Sequence, residues 1–246
     1  MFTESVILPL LVLMPVAAFL YSSVGHGGAS SYIMLLTLFH FAPSEVRPFA
    51  LLLNILVSGV SFLSYRRVCN FPTKLFLHLI IFSVPAAFLG GAVSVDAVLY
   101  KKILGVLLIF PALRLFNIIS VRKTVLIERK WWMMPIIGLS IGFLSGLIGI
   151  GGGIILSPVL LLLGWANVKE TAAISALFIF LNSIAGLFGA GITALAFQQQ
   201  LQLLMPLTLI GGVAGAYFGA NKFNVPALKF LLATVLIIAA SKFLIA

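Results

Sequence analysis

Two glycine-rich stretches hold the residues of this sequence with the clearest chemical potential. The first is Gly-His-Gly-Gly-Ala at residues 25–29, and the second is Gly-Ile-Gly-Gly-Gly at residues 149–153. Both interrupt long apolar segments, because each glycine in a helix costs about 1 kcal/mol relative to alanine. A helix that restarts after such a break begins with free N–H groups and about half a positive charge. Two such helix starts facing a common centre would bind an anion without a buried cation.

His26 is the one ionisable residue in either break. Its side chain could donate to a bound oxyanion, or it could take up and release a proton during transport, because the pKa of histidine lies near neutrality. The alternative is a neutral histidine that only ties the turn. The corresponding residue of the second break is Ile150, so the repeated pattern does not require a histidine. His26 is the candidate for proton coupling.

Other polar residues accompany the breaks. Ser30 and Ser31 follow the first break directly, and two Asn–Ser pairs fall in the middle of later apolar segments. In a membrane such side chains either bond a neighbouring helix or complete a polar site. The candidate substrate site therefore comprises Gly25, His26, Gly27, Gly28, Ala29, Ser30, Ser31, Asn54, Ser58, Gly149, Gly151, Gly152, Gly153, Asn182 and Ser183.

Composition indicates an integral membrane protein. Apolar residues make up 62% of the 246 residues and charged residues 8%, against about 25% charged in soluble domains. At about 20 residues per helix, the chain has room for eight to ten membrane segments. The net charge of +10 comes from Lys and Arg scattered through short loops, which sets membrane orientation rather than nucleic-acid binding. The single cysteine, Cys69, excludes an internal disulfide.

The apolar segments repeat after 124 residues. The first half has segments at 5–24, 30–41, 48–65, 75–93 and 97–119, and the second at 132–148, 154–165, 171–196, 201–220 and 227–246. The breaks are 124 residues apart, as are Ser58 and Asn182. We expect an all-α protein with a first repeat at 1–120, a charged cytoplasmic linker at 121–131 and a second repeat at 132–246. In each repeat a short helix after the glycine break should form a bent hairpin with the segment before it.

Loop charges favour inverted repeats. Arg66, Arg67 and Lys74 mark one loop as cytoplasmic, whereas the equivalent loop of the second half, 197–200, has no charge. Lys222 and Lys229 instead charge the following loop. Positive charge has thus moved to the opposite connections, as inversion requires. A parallel arrangement of four plus four segments is the alternative.

The acidic residues disfavour cation transport. The sequence has five: Glu4, Glu45, Asp96, Glu128 and Glu170, and each falls at a segment end or in a loop. A cation carrier generally keeps a carboxylate inside the bundle, and hydrolysis by paired carboxylates would need two. We expect no enzyme activity, no metal and no organic cofactor.

The second break, with the apolar run through Pro158 and the series Thr171, Ser175, Asn182, Ser183 and Gly186, resembles the sulfite exporter TauE/SafE family of bacterial membrane permeases. The first break and the glycine-rich segment 211–219 resemble that family more weakly, and the resemblance covers essentially the whole chain. It implies a plasma-membrane permease for sulfite, sulfoacetate or other sulfonates. His26 stands where the family is often apolar, so the two halves need not contribute equally.

The expected function is a secondary transporter of a small oxyanion, working by alternating access with the anion held at the two helix starts. A negative-inside potential favours export of an anion, and the direction of transport and its coupling, by a proton on His26 or as simple uniport, stay open. The expected location is the bacterial inner membrane, as a multi-pass protein. The expected partners are the anion and the lipid bilayer, and the oligomeric state stays open. A membrane-embedded assembly subunit without transport and a passive anion channel are the alternatives.

Overall fold

A computed structural model describes residues 4–39, 41, 43–93, 131–191, 199–224, 226–227, 230 and 234. The described residues are helical, without strands, as the sequence predicts. The predicted segment 97–119, most of the linker and nearly all of the segment 227–246 lie outside the described residues. The helices are α1 (Glu4–Ser22), α2 (Ala29–Leu38), α3 (Pro43–Arg66), α4 (Thr73–Ala92), α5 (Met133–Ile148), α6 (Gly153–Leu162), α7 (Val168–Ala190) and α8 (Gln199–Asn221).

Four helices in the described part of the chain are long and apolar enough to cross a membrane: α3, α4, α7 and α8. The helices α1 and α5 contribute shorter apolar stretches before each break. The helices α2 and α6 have 10 residues each, so each is about 15 Å long, half of a bilayer core. The predicted short helices are therefore confirmed, with slightly earlier ends than the sequence indicated.

Local signals explain where α7 begins. The side chain of Asn167 accepts a hydrogen bond from the N–H of Glu170 at 3.0 Å, and the Glu170 carboxylate accepts one from the N–H of Asn167 at 2.9 Å. This reciprocal capping box satisfies two N–H groups that a helix start otherwise leaves unpaired. The breaks before α2 and α6 have no such box.

Glycine stripes bring helices of different halves together. A Cβ added at Gly138 of α5 would meet the backbone of Leu79, and one at Gly146 that of Ala87, so α4 and α5 run parallel in close contact. On the other side of the bundle, a Cβ at Gly211 of α8 would meet Pro15 of α1, and one at Gly219 would meet Ser23, which directly follows α1. Both stripes therefore allow backbones to approach as small residues do in membranes.

The central pair of helices, α3 and α7, runs antiparallel. Asn54 donates to Ser183, and Gly59 lies against Phe180, so the residue number rises along one helix as it falls along the other. Three pairs of helices lie about 124 residues apart in the sequence: α1 and α5, α3 and α7, and α4 and α8. The contact of α1 with α8 has its counterpart in that of α5 with α4, and the contact of α3 with α8 in that of α7 with α4. Inversion of two repeats stays a prediction, and these directions agree with it.

The bundle has two ends that differ in charge. At the end we call the Tyr65 end, α1, α3 and α8 finish, and Tyr65 donates to the carbonyl of Ser23. At the opposite end, the Arg47 end, α3 begins and α4, α5 and α7 finish. Arg47 is the one described Lys or Arg there, whereas five lie at the Tyr65 end: Arg66, Arg67, Lys74, Lys169 and Lys222. The positive-inside rule therefore predicts a cytoplasmic Tyr65 end.

Candidate functional site

Both breaks end where the sequence predicts, at the first residues of α2 and α6. Gly28 precedes α2 with φ of 96°, and Gly152 precedes α6 with φ of 74°. These values lie in the left-handed region, which glycine enters without steric cost. Neither helix start has a cap from its N-cap residue, so its first N–H groups depend on other elements or on a ligand.

Asn54, in the middle of α3, contacts the first break. Its Oδ1 accepts a hydrogen bond from the N–H of Ala29 at 3.0 Å, so a side chain of α3 caps the start of α2. A Cβ added at Gly27 would overlap this same Oδ1. The backbone can approach the Asn54 amide because residue 27 has no side chain.

The same amide reaches the second break and α7. Its Nδ2 donates to Ser183 Oγ at 3.4 Å, and a Cβ added at Gly151 would lie 2.7 Å from Nδ2 and 3.0 Å from that Oγ. Gly151 has φ of 74°. Asn54 therefore touches both breaks and Ser183 at one point near the middle of the bundle.

His26 joins the breaks across the halves. Its Nε2 lies 3.1 Å from the carbonyl oxygen of Gly153 and 3.0 Å from Ser157 Oγ, which lies 2.7 Å from Ser175 Oγ. The His26 side chain is 1% exposed, and its Nδ1 has no hydrogen-bond partner in the structure. A buried polar atom without a partner is rare in proteins and needs an explanation.

Other polar contacts hold the first break internally. Ser30 donates to the hydroxyl of Tyr21 at 2.7 Å, and Ser31 donates to the carbonyl of Gly28 at 2.8 Å. Tyr32 donates to the carbonyl of Gly27 at 2.8 Å. The hydroxyls of Ser30 and Ser31 are thus used within the break.

Two predicted site glycines lie against other elements. A Cβ at Gly25, whose φ is 81°, would meet the backbone of Ala172 at the start of α7. One at Gly149, whose φ is 83°, would lie 2.8 Å from Cγ of Arg47. These glycines permit close packing at the outer parts of the breaks.

Two further predicted residues make hydrogen bonds to partners other than the breaks. Ser58 donates to the carbonyl of Asn54 in its own helix. Asn182 donates to Ser83 of α4 at 3.1 Å and to the carbonyl of Phe178 at 2.8 Å. Both therefore make the packing bonds that were the alternative to a site role.

Sequence reasoning missed several residues that the fold adds. Ser157 lies one helical turn after Gly153, and Tyr32 one turn after Gly28, so a search one turn beyond each helix start would have found them. Ser175 belongs to the series that resembles the family, although its sequence position did not indicate its partner, and Tyr21 and Arg47 carried no signal. Arg47 donates to the carbonyls of Gly90, Gly91, Val93 and Gly146.

The site is closed and neutral. Every predicted site residue is buried, and the buried polar residues in the described part of the chain include no Asp, Glu, Lys or Arg. Among the described residues, no group of three or more His, Cys, Asp or Glu could hold a metal ion. What the arrangement offers is backbone N–H groups, amide and hydroxyl groups, and one imidazole.

Comparison with known proteins agrees with the fold. The family described as "Sulfite exporter TauE/SafE" matches residues 10–243. A "Probable membrane transporter protein y4hK" of Sinorhizobium fredii is 32% identical over 234 residues, 93% of this chain and 94% of that protein. A "Probable membrane transporter protein MJ0441" of Methanocaldococcus jannaschii is 31% identical over 191 residues, 74% of this chain and 71% of that protein. No solved structure matches.

The match spans nearly the whole chain and both glycine breaks. With four helices that can cross a membrane in the described residues, it confirms a multi-pass membrane protein. The chain belongs to the sulfite exporter TauE/SafE family of membrane transport proteins.

Proposed function

We propose that this protein is a secondary transporter of a small oxyanion, sulfite or an organosulfonate such as sulfoacetate. The anion would bind where α2 and α6 begin, and alternating access would open that point to one membrane face at a time. The description of the family, "Sulfite exporter TauE/SafE", supports this substrate class.

The convergence of the two helix starts on Asn54 is the observation that carries the proposal. Asn54 bonds the first residue of α2 and lies against Gly151 of the second break. His26 of the first break bonds Gly153, the first residue of α6. The start of α2 and the break before α6 therefore lie beside the same buried asparagine, and an anion held there would gain from the positive ends of both helix dipoles.

Burial makes these dipoles effective. The surrounding residues exclude water, and electrostatic interactions strengthen as the local dielectric falls. Discontinuous helices whose N-termini face an anionic group near the midplane are a known arrangement in secondary transporters. A closed site with no exposed residue fits an occluded conformation between two open ones.

The proposed site centres on His26, Gly27, Gly28, Asn54, Gly151, Gly152, Gly153 and Ser183, and Gly25, Gly149, Ser30 and Ser31 shape the breaks. A negative-inside potential favours export by about 2.3 kcal/mol per 100 mV for each net negative charge that crosses, so a proton that moves with the anion removes one charge from this driving force. Export, the direction that the family's description names, is the proposed direction.

Flux in proteoliposomes tests the proposal. Purified protein should move labelled sulfite or sulfoacetate with a rate that saturates, and unlabelled oxyanions should compete. Gly151→Val, which puts a branched side chain between Asn54 and Ile179, should abolish flux. Ile210→Val on the exposed face of α8 is the matched control and should transport normally.

The alternatives give different results. A passive channel would conduct without saturation or competition. An assembly subunit would show no flux and no stabilisation by any oxyanion in a thermal-shift screen. Either result would overturn the proposed function.

A further inference from the structure

The hydrogen bonds of His26 determine which ring nitrogen carries the proton. A carbonyl oxygen can only accept, so the 3.1 Å contact with Gly153 requires an N–H at Nε2. Ser157 Oγ then accepts from the same N–H and shares a hydrogen bond with Ser175 Oγ, in which either hydroxyl can donate. In neutral histidine one nitrogen donates and the other accepts, so Nδ1 is a bare lone pair.

The surroundings keep that lone pair unprotonated when the site is empty. From α1 and α2, the titratable groups that face His26 and its break are the neutral phenols of Tyr21 and Tyr32. The helices α3, α6 and α7 present Asn54, Ser157 and Ser175 to the two breaks. The half-buried, charged Arg47 of α3 lies against Gly149 at the outer part of the second break. None of the buried residues that the structure describes is charged, so no carboxylate compensates a buried imidazolium.

A bare lone pair is the wrong group for an anion. His26 packs against the first turn of α6, since a Cβ added at Gly153 would lie 3.4 Å from its Cδ2. These contacts use the Cδ2 and Nε2 edge of the ring, so Nδ1 is the nitrogen left over for a ligand, and an oxyanion that reaches it would meet an acceptor unless Nδ1 first gains a proton. With Nδ1 protonated, the ring becomes a cation with one N–H on Gly153 and the other free for the ligand.

We infer that the anion and one proton occupy the site together, the proton on Nδ1 of His26. The anion supplies the charge that the buried imidazolium needs, and the imidazolium supplies a donor and a positive charge for the anion. Each one therefore raises the affinity for the other. No covalent bond is made, and the proton leaves with the anion when the site opens. This inference rests on the proposed function and specifies its coupling.

The number of protons bound per anion tests it directly. Methanesulfonate is the probe, because a sulfonate carries no proton of its own near neutral pH. Isothermal titration calorimetry of the full chain in detergent, in two buffers of different ionisation enthalpy, gives the proton uptake. Between about pH 6 and pH 8 we expect wild-type protein to take up close to one proton per anion, and its affinity to fall as pH rises.

Two variants locate the proton. In His26→Gln the amide can still donate to Gly153 but cannot titrate, so proton uptake should vanish and affinity should lose its pH dependence. His26→Asn serves the same purpose if the glutamine variant does not fold. His78→Gln is the matched control, because His78 is exposed and its Nδ1 bonds the carbonyl of Lys74; uptake there should equal that of the wild type.

The outcomes separate this inference from the proposed function. Methanesulfonate binding by the wild type without proton uptake would overturn the inference and leave the anion site standing. Undiminished uptake in either His26 variant would also overturn it. Failure of the wild type to bind any oxyanion would overturn the proposed function and the inference with it.

Discussion

Arg47 and Lys169 hold the ends of equivalent helices at opposite ends of the bundle. Arg47, in the first turns of α3, donates from Nη2 to the carbonyls of Gly90 and Gly91 at 3.2 and 2.8 Å, where α4 finishes. Lys169, at the start of α7, donates from Nζ to the carbonyl of Ala220 at 3.0 Å, where α8 finishes. A cation at a helix C-terminus satisfies free carbonyls and complements the helix dipole.

This relationship predicts unequal losses of stability. Arg47→Ala should destabilise the protein by about 2 kcal/mol, because a charged group with several carbonyl partners is removed and its carbonyls lose their donor. Lys169→Ala removes one such bond from a partly exposed lysine and should cost under about 1 kcal/mol. Thermal unfolding in detergent measures both. Lys222→Ala, at an exposed residue, is the control; equal losses for Arg47 and Lys169 would contradict the prediction.

Gly151 should tolerate no side chain. In Gly151→Ala the left-handed φ costs about 1–2 kcal/mol, and the new Cβ would lie 2.7 Å from both Asn54 Nδ2 and Ile179 Cγ2. We expect lower thermal stability and loss of oxyanion flux. In Gly59→Ala the Cβ would lie 3.4 Å from Phe180 in a regular helix, so stability should be unchanged or slightly higher. Normal flux in Gly151→Ala would count against a site at the second break.

Asn54→Asp separates capping from anion binding. An aspartate keeps an acceptor for the Ala29 N–H and faces the positive end of α2, so the protein should fold, with lower stability because a buried carboxylate is costly. The negative charge at the centre should abolish flux. Asn54→Leu should lose flux and also about 1 kcal/mol of stability, because the cap of α2 is gone. Flux and thermal unfolding are measured on both. An aspartate variant that transports like the wild type would rule out an anion near Asn54.

Ser58 and Ser183 should differ in importance. The Ser58 hydroxyl donates within its own helix, so Ser58→Ala should change transport little. The Ser183 hydroxyl accepts from Asn54 across α3 and α7, and Ser183→Ala should lower the affinity for the oxyanion several-fold. Concentration dependence of flux checks both. The opposite ranking would mean that Ser58 contacts the anion in a conformation other than this one.

Cys69 reports the orientation of the chain. It lies in the loop after α3 at the Tyr65 end, and burial, reinforced by Glu170, raises the pKa of its thiol above the usual value. The thiol therefore stays protonated at neutral pH, and alkylation should be slow there and should accelerate as pH rises.

A membrane-impermeant maleimide should modify Cys69 in cells only after permeabilisation, because the Tyr65 end is predicted to be cytoplasmic. Val93→Cys in a Cys69→Ser background tests the opposite membrane face. Val93 is 41% exposed at the end of α4, so the cysteine introduced there should react in intact cells. The reverse pattern would invert the proposed orientation.

The sequence by itself determined the membrane environment, the positions of the breaks and the starts of the short helices. These features depend on local physics. Apolar composition indicates that the chain lies in a lipid bilayer, and the glycine runs near residues 27 and 151 cannot continue a helix. The four-residue spacing of Gly138, Gly142 and Gly146 is likewise a local pattern, typical of close helix contacts.

Only the tertiary structure decided which polar groups meet at the breaks. His26 bonds Gly153, Asn54 bonds Ser183, and Arg47 reaches the end of α5. Each of these contacts joins residues about 100 or more positions apart. The bond of Asn54 to Ala29 is the exception. Such contacts follow from helix packing and direction, which no local pattern encodes. The same packing separated Asn182 from the breaks and directed its amide to Ser83 of α4.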